Sequence, residues 1–270
     1  MKNEVFSGQR FWSYFKYDAT QMWRNHMKAA VGIGLAGLIF YFLCIFFGLV
    51  VGDGWDGPNL ATRFGVFMVA FTILELYQTR TYGYLTDRRK GSAWLLVPAS
   101  AFEKWLSMML MTLVVIPVVF LVVFFSVDSI LSLADPTVGQ SMISSIAGGM
   151  TVIKDEIMQV NGDYNTNWNL WAVLPSAILG FCCNFLFFLL CGLIFKRYKI
   201  LGGFGIILGL SILLSLVSSL IVFGGGVEYE DFAQAEGAIR GVIHGVNWVI
   251  GLITAGLAGG IFWRIKTLKH

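Results

Sequence analysis

Six apolar stretches of membrane-spanning length, separated by shorter polar segments, leave this chain few folds to adopt. They cover residues 29–51, 60–76, 105–127, 170–195, 200–223 and 242–263. A helix needs about 20 apolar residues to cross the hydrocarbon core of a bilayer. In lipid every backbone polar group must be satisfied within the protein, so only helices and closed barrels can span. Barrel strands of about ten alternating residues are absent, which leaves helices. The predicted fold is therefore all-α: a polytopic membrane protein with six transmembrane helices. Composition agrees, because 57% of the 270 residues are hydrophobic and only 13% are charged. A soluble domain of this size could not hide so much apolar surface. Disorder needs the opposite balance. A net charge of +3, from scattered basic residues, does not suit a nucleic-acid binder. The first apolar run is too long for a signal peptide and lacks a cleavage pattern.

Six spans put both termini on one side, and the basic residues choose the side. With a cytoplasmic N-terminus, 16 of the 19 Lys and Arg fall inside; Arg63, Lys154 and Arg240 are the exceptions. This is the positive-inside asymmetry, repeated at each loop. Eleven of the 16 carboxylates, from Asp53 to Glu236, fall outside. Tryptophans favour the headgroup level. Trp12, Trp23, Trp94, Trp105 and Trp263 fall at the predicted inner interface, Trp55, Trp168 and Trp171 at the outer one, and Trp248 inside a span.

Residues 1–28 read as a cytoplasmic N-terminal segment carrying an amphipathic interfacial helix. Phe11, Trp12, Phe15, Met22, Trp23, His26 and Met27 recur at helical spacing, with basic residues between them. Such a helix lies in the plane of the inner leaflet. The six-helix domain spans 29–264 and a short cytoplasmic tail covers 265–270. External segments are expected at 128–169 and 224–240. In the first, Ile143, Ile146, Met150, Ile153 and Ile157 fit one helical stripe; in the second, a short helix is expected over 229–240, ahead of span six.

Segment 78–104 carries the most information. Thr86 or Asp87 can cap a short helix bearing Arg88, Arg89 and Lys90. An apolar patch from Ala93 to Val97 follows, stopped by Pro98, which makes a sharp corner. Ser100 and Glu103 have the spacing of a capping box, so a new helix should start there and run unbroken into span three, where Pro117 could add a kink. An apolar patch beside basic residues suits a partner surface; the other reading is that Trp94 and its neighbours dip into the membrane interface.

Catalytic signatures are missing from the sequence. It has no phosphate-loop pattern, no H-E-x-x-H and no G-x-S-x-G, so the chain is read as a non-enzyme with no cofactor or metal of its own. The cysteines, Cys44, Cys182, Cys183 and Cys191, all fall in spans and read as packing residues. Ion-coupled transporters carry ionisable groups at the bilayer midplane. Here Glu75 lies near the inner boundary of span two and Arg63 near the outer one. Asn184 and Asn247 are expected to hydrogen-bond between helices. Ser211, Ser215 and Ser218 line one face of span five, either as a polar strip along a path or as back-bonded packing residues. Small-residue rows, Gly205 with Gly209 and Gly251, Ala255 and Gly259 with Gly256 and Gly260, allow close helix approach. With almost no midplane charge, any transport would draw its energy from elsewhere.

Residues 88–104 resemble the corner between spans two and three of the permease subunits of type-2 ATP-binding-cassette exporters. The resemblance rests on Gly91, on the run Leu95, Leu96, Val97, Pro98, Ala99 and Ser100, and on the pair Glu103 and Lys104. Val97 departs mildly from the usual pattern. The six-span layout and the N-terminal helix are also similar. The resemblance implies a multi-pass protein of the bacterial inner membrane, paired with a second permease chain as homo- or heterodimer and surrounded by membrane lipid. It also implies a separate cytoplasmic ATPase subunit, which would hold ATP and Mg and dock on Asp87, Arg88, Arg89, Lys90, Gly91, Trp94, Leu95 and Leu96. Pro98, Ser100, Glu103 and Lys104 would pass its motion into span three. The competing reading is a membrane scaffold or an ATP-independent channel or carrier, whose corner binds lipid or another protein.

Overall fold

The computed structural model describes residues 6–51, 57–86, 91, 94, 96–149, 174–196, 198–209 and 232–267. Every regular element among them is helical. Four helices are long and apolar enough to cross a membrane: Leu60–Thr86, Ala101–Ala134, Pro175–Ile194 and His244–Thr267. A bent pair, Gly8–Gly34 with Ala36–Val51, makes a fifth if counted as one span. Only 199–209 of the fifth predicted stretch is described, as a short apolar helix. Ser211, Ser215 and Ser218, the tryptophans Trp55, Trp168 and Trp171, and most of both external segments lie outside the described residues.

The chain divides into two compact units, Met1–Tyr77 with Pro98–Asp155 and Gln78–Val97 with Glu156–His270. In the first unit, α1 (Gly8–Met22) passes through a π-turn (Trp23–Met27) into α2 (Lys28–Gly34). The helix was expected to change character at residue 28. Instead it breaks at Leu35, and α3 (Ala36–Val51) leaves at 43°. Just before the break the chain is closely packed: a Cβ on Gly34 would stand 2.9 Å from Val123 Cγ1 and 3.4 Å from Phe120 O. The face of α1 turned to the rest of the unit carries Tyr14, Asp18 and Met22, buried and four residues apart, while Trp12 and Trp23 are exposed. Helix α4 (Leu60–Thr81) runs five residues past the predicted end of span two.

The capping box predicted at Ser100 and Glu103 is present and starts α5 (Ala101–Leu110). A π-turn (Met111–Val115) then leads into α6 (Ile116–Ala134), so Ala101–Ala134 forms one continuous helix. Pro117 lies two residues after the end of the π-turn. Proline has no N–H to give the helix ladder, and the wider turn accommodates that loss. The core of this unit is aromatic: Phe67 lies 5.2 Å from Phe124 and 5.9 Å from Phe120, ring centre to ring centre. Beyond α6 the helix of 142–149 (α7) buries Met142 and leaves Ile143 and Ile146 exposed; Met150, Ile153 and Ile157 of the predicted stripe lie outside the described residues.

The second unit contains the end of α4, a 3-10 turn (Gly83–Thr86), α8 (Leu174–Ile194), α9 (Lys199–Gly209) and α10 (Phe232–Thr267). Helices α8 and α10 pack together along Phe185, Leu189, Ile261 and Ile265, all buried. Helix α10 starts at Phe232 and continues unbroken, so the separate short helix expected over 229–240 is not found. Of its small residues, a Cβ on Gly260 would meet Leu190 at 3.7 Å, whereas one on Gly256 or Gly259 would meet nothing.

Candidate functional site

The candidate site is the segment between α4 and α6, with the side chains that fix it. In the first unit it begins at Pro98, which is exposed. The Ser100 hydroxyl accepts from Glu103 N at 3.2 Å, and Glu103 Oε2 accepts from Ser100 N at 2.8 Å. Both halves of the box are therefore closed, which satisfies two of the helix's orphan donors. Glu103 does more than cap. Ser7 N donates to its Oε1 at 2.9 Å, and Arg10 Nη2 donates to the same oxygen at 2.8 Å. Arg10 Nε reaches Oε1 at 3.0 Å and Oε2 at 2.8 Å. The carboxylate is fully buried, whereas the guanidinium remains 39% exposed.

Glu103 sits in the first turn of α5, ahead of the apolar run that begins at Trp105. Burial alone would push its pKa up. The Arg10 guanidinium and the N–H groups of Ser100 and Ser7 outweigh that and hold it at about 2. One turn further on, Ser107 donates to Asp18 Oδ2 at 2.6 Å, with both residues buried. Arg10 and Asp18 on α1 thus bind Glu103 and Ser107 on α5. Glu103 and Lys104, expected to pass motion into span three rather than to touch a partner, are both buried.

In the second unit, Gln78, Thr79, Thr81 and Tyr82 are buried. Lys199 Nζ donates to Gly83 O, and to Thr86 Oγ1 at 3.0 Å. The Thr86 hydroxyl turns back to Gly83 O at 2.8 Å. Gly192 of α8 lies on the Thr79 backbone so closely that a Cβ there would stand 2.9 Å from Thr79 Cα. Gly91 and Trp94 are buried, and Leu96 is 84% exposed. The exposed apolar patch expected around Trp94 therefore does not include Trp94; Leu96 is its outward residue. Asp87, Arg88, Arg89, Lys90 and Leu95 lie outside the described residues.

Of the polar residues assigned to spans, Asn247 Oδ1 accepts from Ser176 Oγ at 2.5 Å, joining α10 to α8. Asn184 is exposed rather than buried in the chain. Glu75 is half-buried and engaged. Among the described residues no group of three His, Cys, Asp or Glu is placed to hold a metal.

Sequence reasoning missed a second polar node, in the first unit. Arg63 Nη1 donates to Asp128 Oδ1 at 2.7 Å, and Arg63 Nη2 donates to Val138 O at 3.0 Å and Gln140 O at 2.8 Å. Asp128 Oδ2 accepts from Met142 N at 2.6 Å. Arg63 and Asp128 are both buried. Arg63 is a charge in the first turn of an otherwise apolar run, and that position is the signal in the sequence that it has a partner. Neither a family model, nor a curated protein, nor a solved structure matches the chain.

Proposed function

We propose that the chain is the transmembrane permease subunit of an ATP-driven exporter, energised by a separate ATPase subunit that docks on segment 78–104. In this reading it spans the inner membrane six times with both termini cytoplasmic and pairs with a second permease chain; ATP and Mg stay on the ATPase. The observation that carries the reading is the start of α5. A push received at Leu96 and Pro98 enters a helix that is capped at Ser100, continuous to Ala134, and tied to α1 through Glu103. That is a stiff lever attached to a second helix, which suits the transfer of a movement. In this reading the chain, whose sequence has no phosphate-loop pattern, relies on the partner subunit for ATP hydrolysis.

Co-purification tests this. The C-terminally tagged chain is extracted from native membranes in mild detergent, and its partners are identified by mass spectrometry. A stoichiometric ATPase subunit is expected, and it should be lost from the combined variant Arg88→Ala, Arg89→Ala and Leu96→Ala while the chain stays folded. Leu96 belongs in that set rather than Trp94, because Trp94 is buried and its loss would damage the fold. An intact chain that carries no ATPase overturns the proposal and moves weight to a scaffold or an ATP-independent channel or carrier.

A further inference from the structure

The π-turn at Trp23–Met27 has two unlike faces. One is fixed: Met22, Met27 and Ala30 are buried, and His26 Nδ1 lies 3.0 Å from the Tyr77 hydroxyl. The other opens into a cleft of about 460 Å³ lined by Trp23, Arg24, Asn25, Met27, Lys28 and Val31. A second cleft of about 340 Å³ continues past Arg24 towards Tyr17 and Gln21. Arg24 and Lys28 are exposed, and neither side chain has a hydrogen-bond or ion-pair partner among the described residues. No carboxylate lines either cleft. π-turns inside helices occur often at functional sites.

We propose that this cleft binds the headgroup of an anionic phospholipid. Arg24 and Lys28 are four residues apart, so they share a helix face and can grip one phosphodiester, with the guanidinium supplying a paired donor. The amide of Asn25 stands beside them for a headgroup hydroxyl. Depth supports a lipid over a free anion. The apolar run begins at residue 29, directly after Lys28, and Trp23, 62% exposed, is placed as an interfacial anchor. Val31, only half-buried, lines the end of the cleft nearer the span, where an acyl chain would cover it; a free phosphate would leave that surface wet. The π-turn presents the two cations preorganised, because its opposite face is locked onto Tyr77. The inference needs only that the helix enters a bilayer here, so it stands apart from the exporter reading.

Native mass spectrometry of the delipidated full chain tests it, with phosphatidylglycerol and phosphatidylcholine as probes. Phosphatidylglycerol is expected to bind more tightly. The pair Arg24→Gln and Lys28→Gln should weaken it by roughly 10- to 30-fold, from about 1 kcal/mol per basic residue at a membrane surface. The pair Lys16→Gln and Lys266→Gln, which removes the same charge elsewhere, should change it less than about twofold. The charge-conserving pair Arg24→Lys and Lys28→Arg should retain most of the affinity. Equal loss in both Gln pairs, or no preference over phosphatidylcholine, overturns the proposal. Displacement of the lipid by millimolar inorganic phosphate also overturns it, in favour of a free-anion site. If the first Gln pair does not fold, a headgroup-photoreactive phosphatidylglycerol decides on the wild-type chain: labelling within residues 23–31 supports the site, and labelling only elsewhere refutes it.

Discussion

Arg10 and Glu103 stand 93 positions apart in the chain, and the guanidinium of the first donates to both carboxylate oxygens of the second, at 2.8 Å each for the shortest contacts. The pair joins the N-terminal helix to the first turn of α5. Its carboxylate is buried, so removal of Arg10 leaves a desolvated charge. Arg10→Ala should destabilise the chain by about 1–3 kcal/mol, towards the lower end because the guanidinium is partly screened by solvent. Combining Arg10→Ala with Glu103→Gln should cost less than the sum of the two. Chemical denaturation in detergent micelles measures both; strict additivity would show that the pair contributes nothing of its own.

The same carboxylate sets a pH dependence. Glu103 is held at about 2, below its ordinary value of 4.5. A depressed acid stabilises the fold fully above its unfolded pKa, and this is lost as pH falls through the folded value. The stability gap between the wild type and Glu103→Gln should therefore be flat from pH 8 to about pH 5, then narrow from about 4.5 down to about 2. A gap that closes between pH 8 and 6 would assign the effect to another group.

Arg63 and Asp128 are buried together, with side-chain exposures of 8% and 6%. Breaking such a pair from one side strands a charge and costs about 3–5 kcal/mol. Arg63→Met or Asp128→Leu should each lose about that much, while the two combined should recover a large part of it. Unfolding in a denaturant series gives the three values; a combined variant as unstable as the sum would contradict a paired arrangement.

Gly192 touches the Thr79 backbone, and Gly256 faces open space. Gly192→Ala forces backbone apart and should destabilise by about 1–3 kcal/mol. Gly256→Ala removes a flexible residue from a helix interior and should be neutral or stabilising by up to about 1 kcal/mol. Thermal melts of the two variants side by side test the contrast. Equal effects would mean that α8 does not approach the end of α4 as closely as described.

The elements that could be read from sequence were those with a local cause. Apolar runs announce helices because length and hydropathy act over a single segment. The capping box was legible because Ser100 and Glu103 meet within one turn. What stayed hidden depends on distant partners. Nothing in the order of residues links Asp18 to Ser107 or Arg63 to Asp128, which are separated by 89 and 65 positions. Nor can hydropathy tell a lipid-facing side chain from a protein-facing one, since both are apolar. That ambiguity put Trp94 on an exposed patch and Asn184 in a buried one. A helix break such as the one at Leu35 is equally invisible when no proline marks it.

Helix α10 has 36 residues without a break. At 1.5 Å per residue it is about 54 Å long, against a hydrocarbon core of about 30 Å. Tilting cannot absorb the excess: even a steep 40° inclination leaves a vertical reach of about 41 Å. Its C-terminal turns carry Arg264 and Lys266, which hold that end at the charged headgroups. The surplus must then emerge at the opposite end, so the first turns of α10 would stand clear of the oil as a rigid post in water, anchored by the same helix that crosses the membrane.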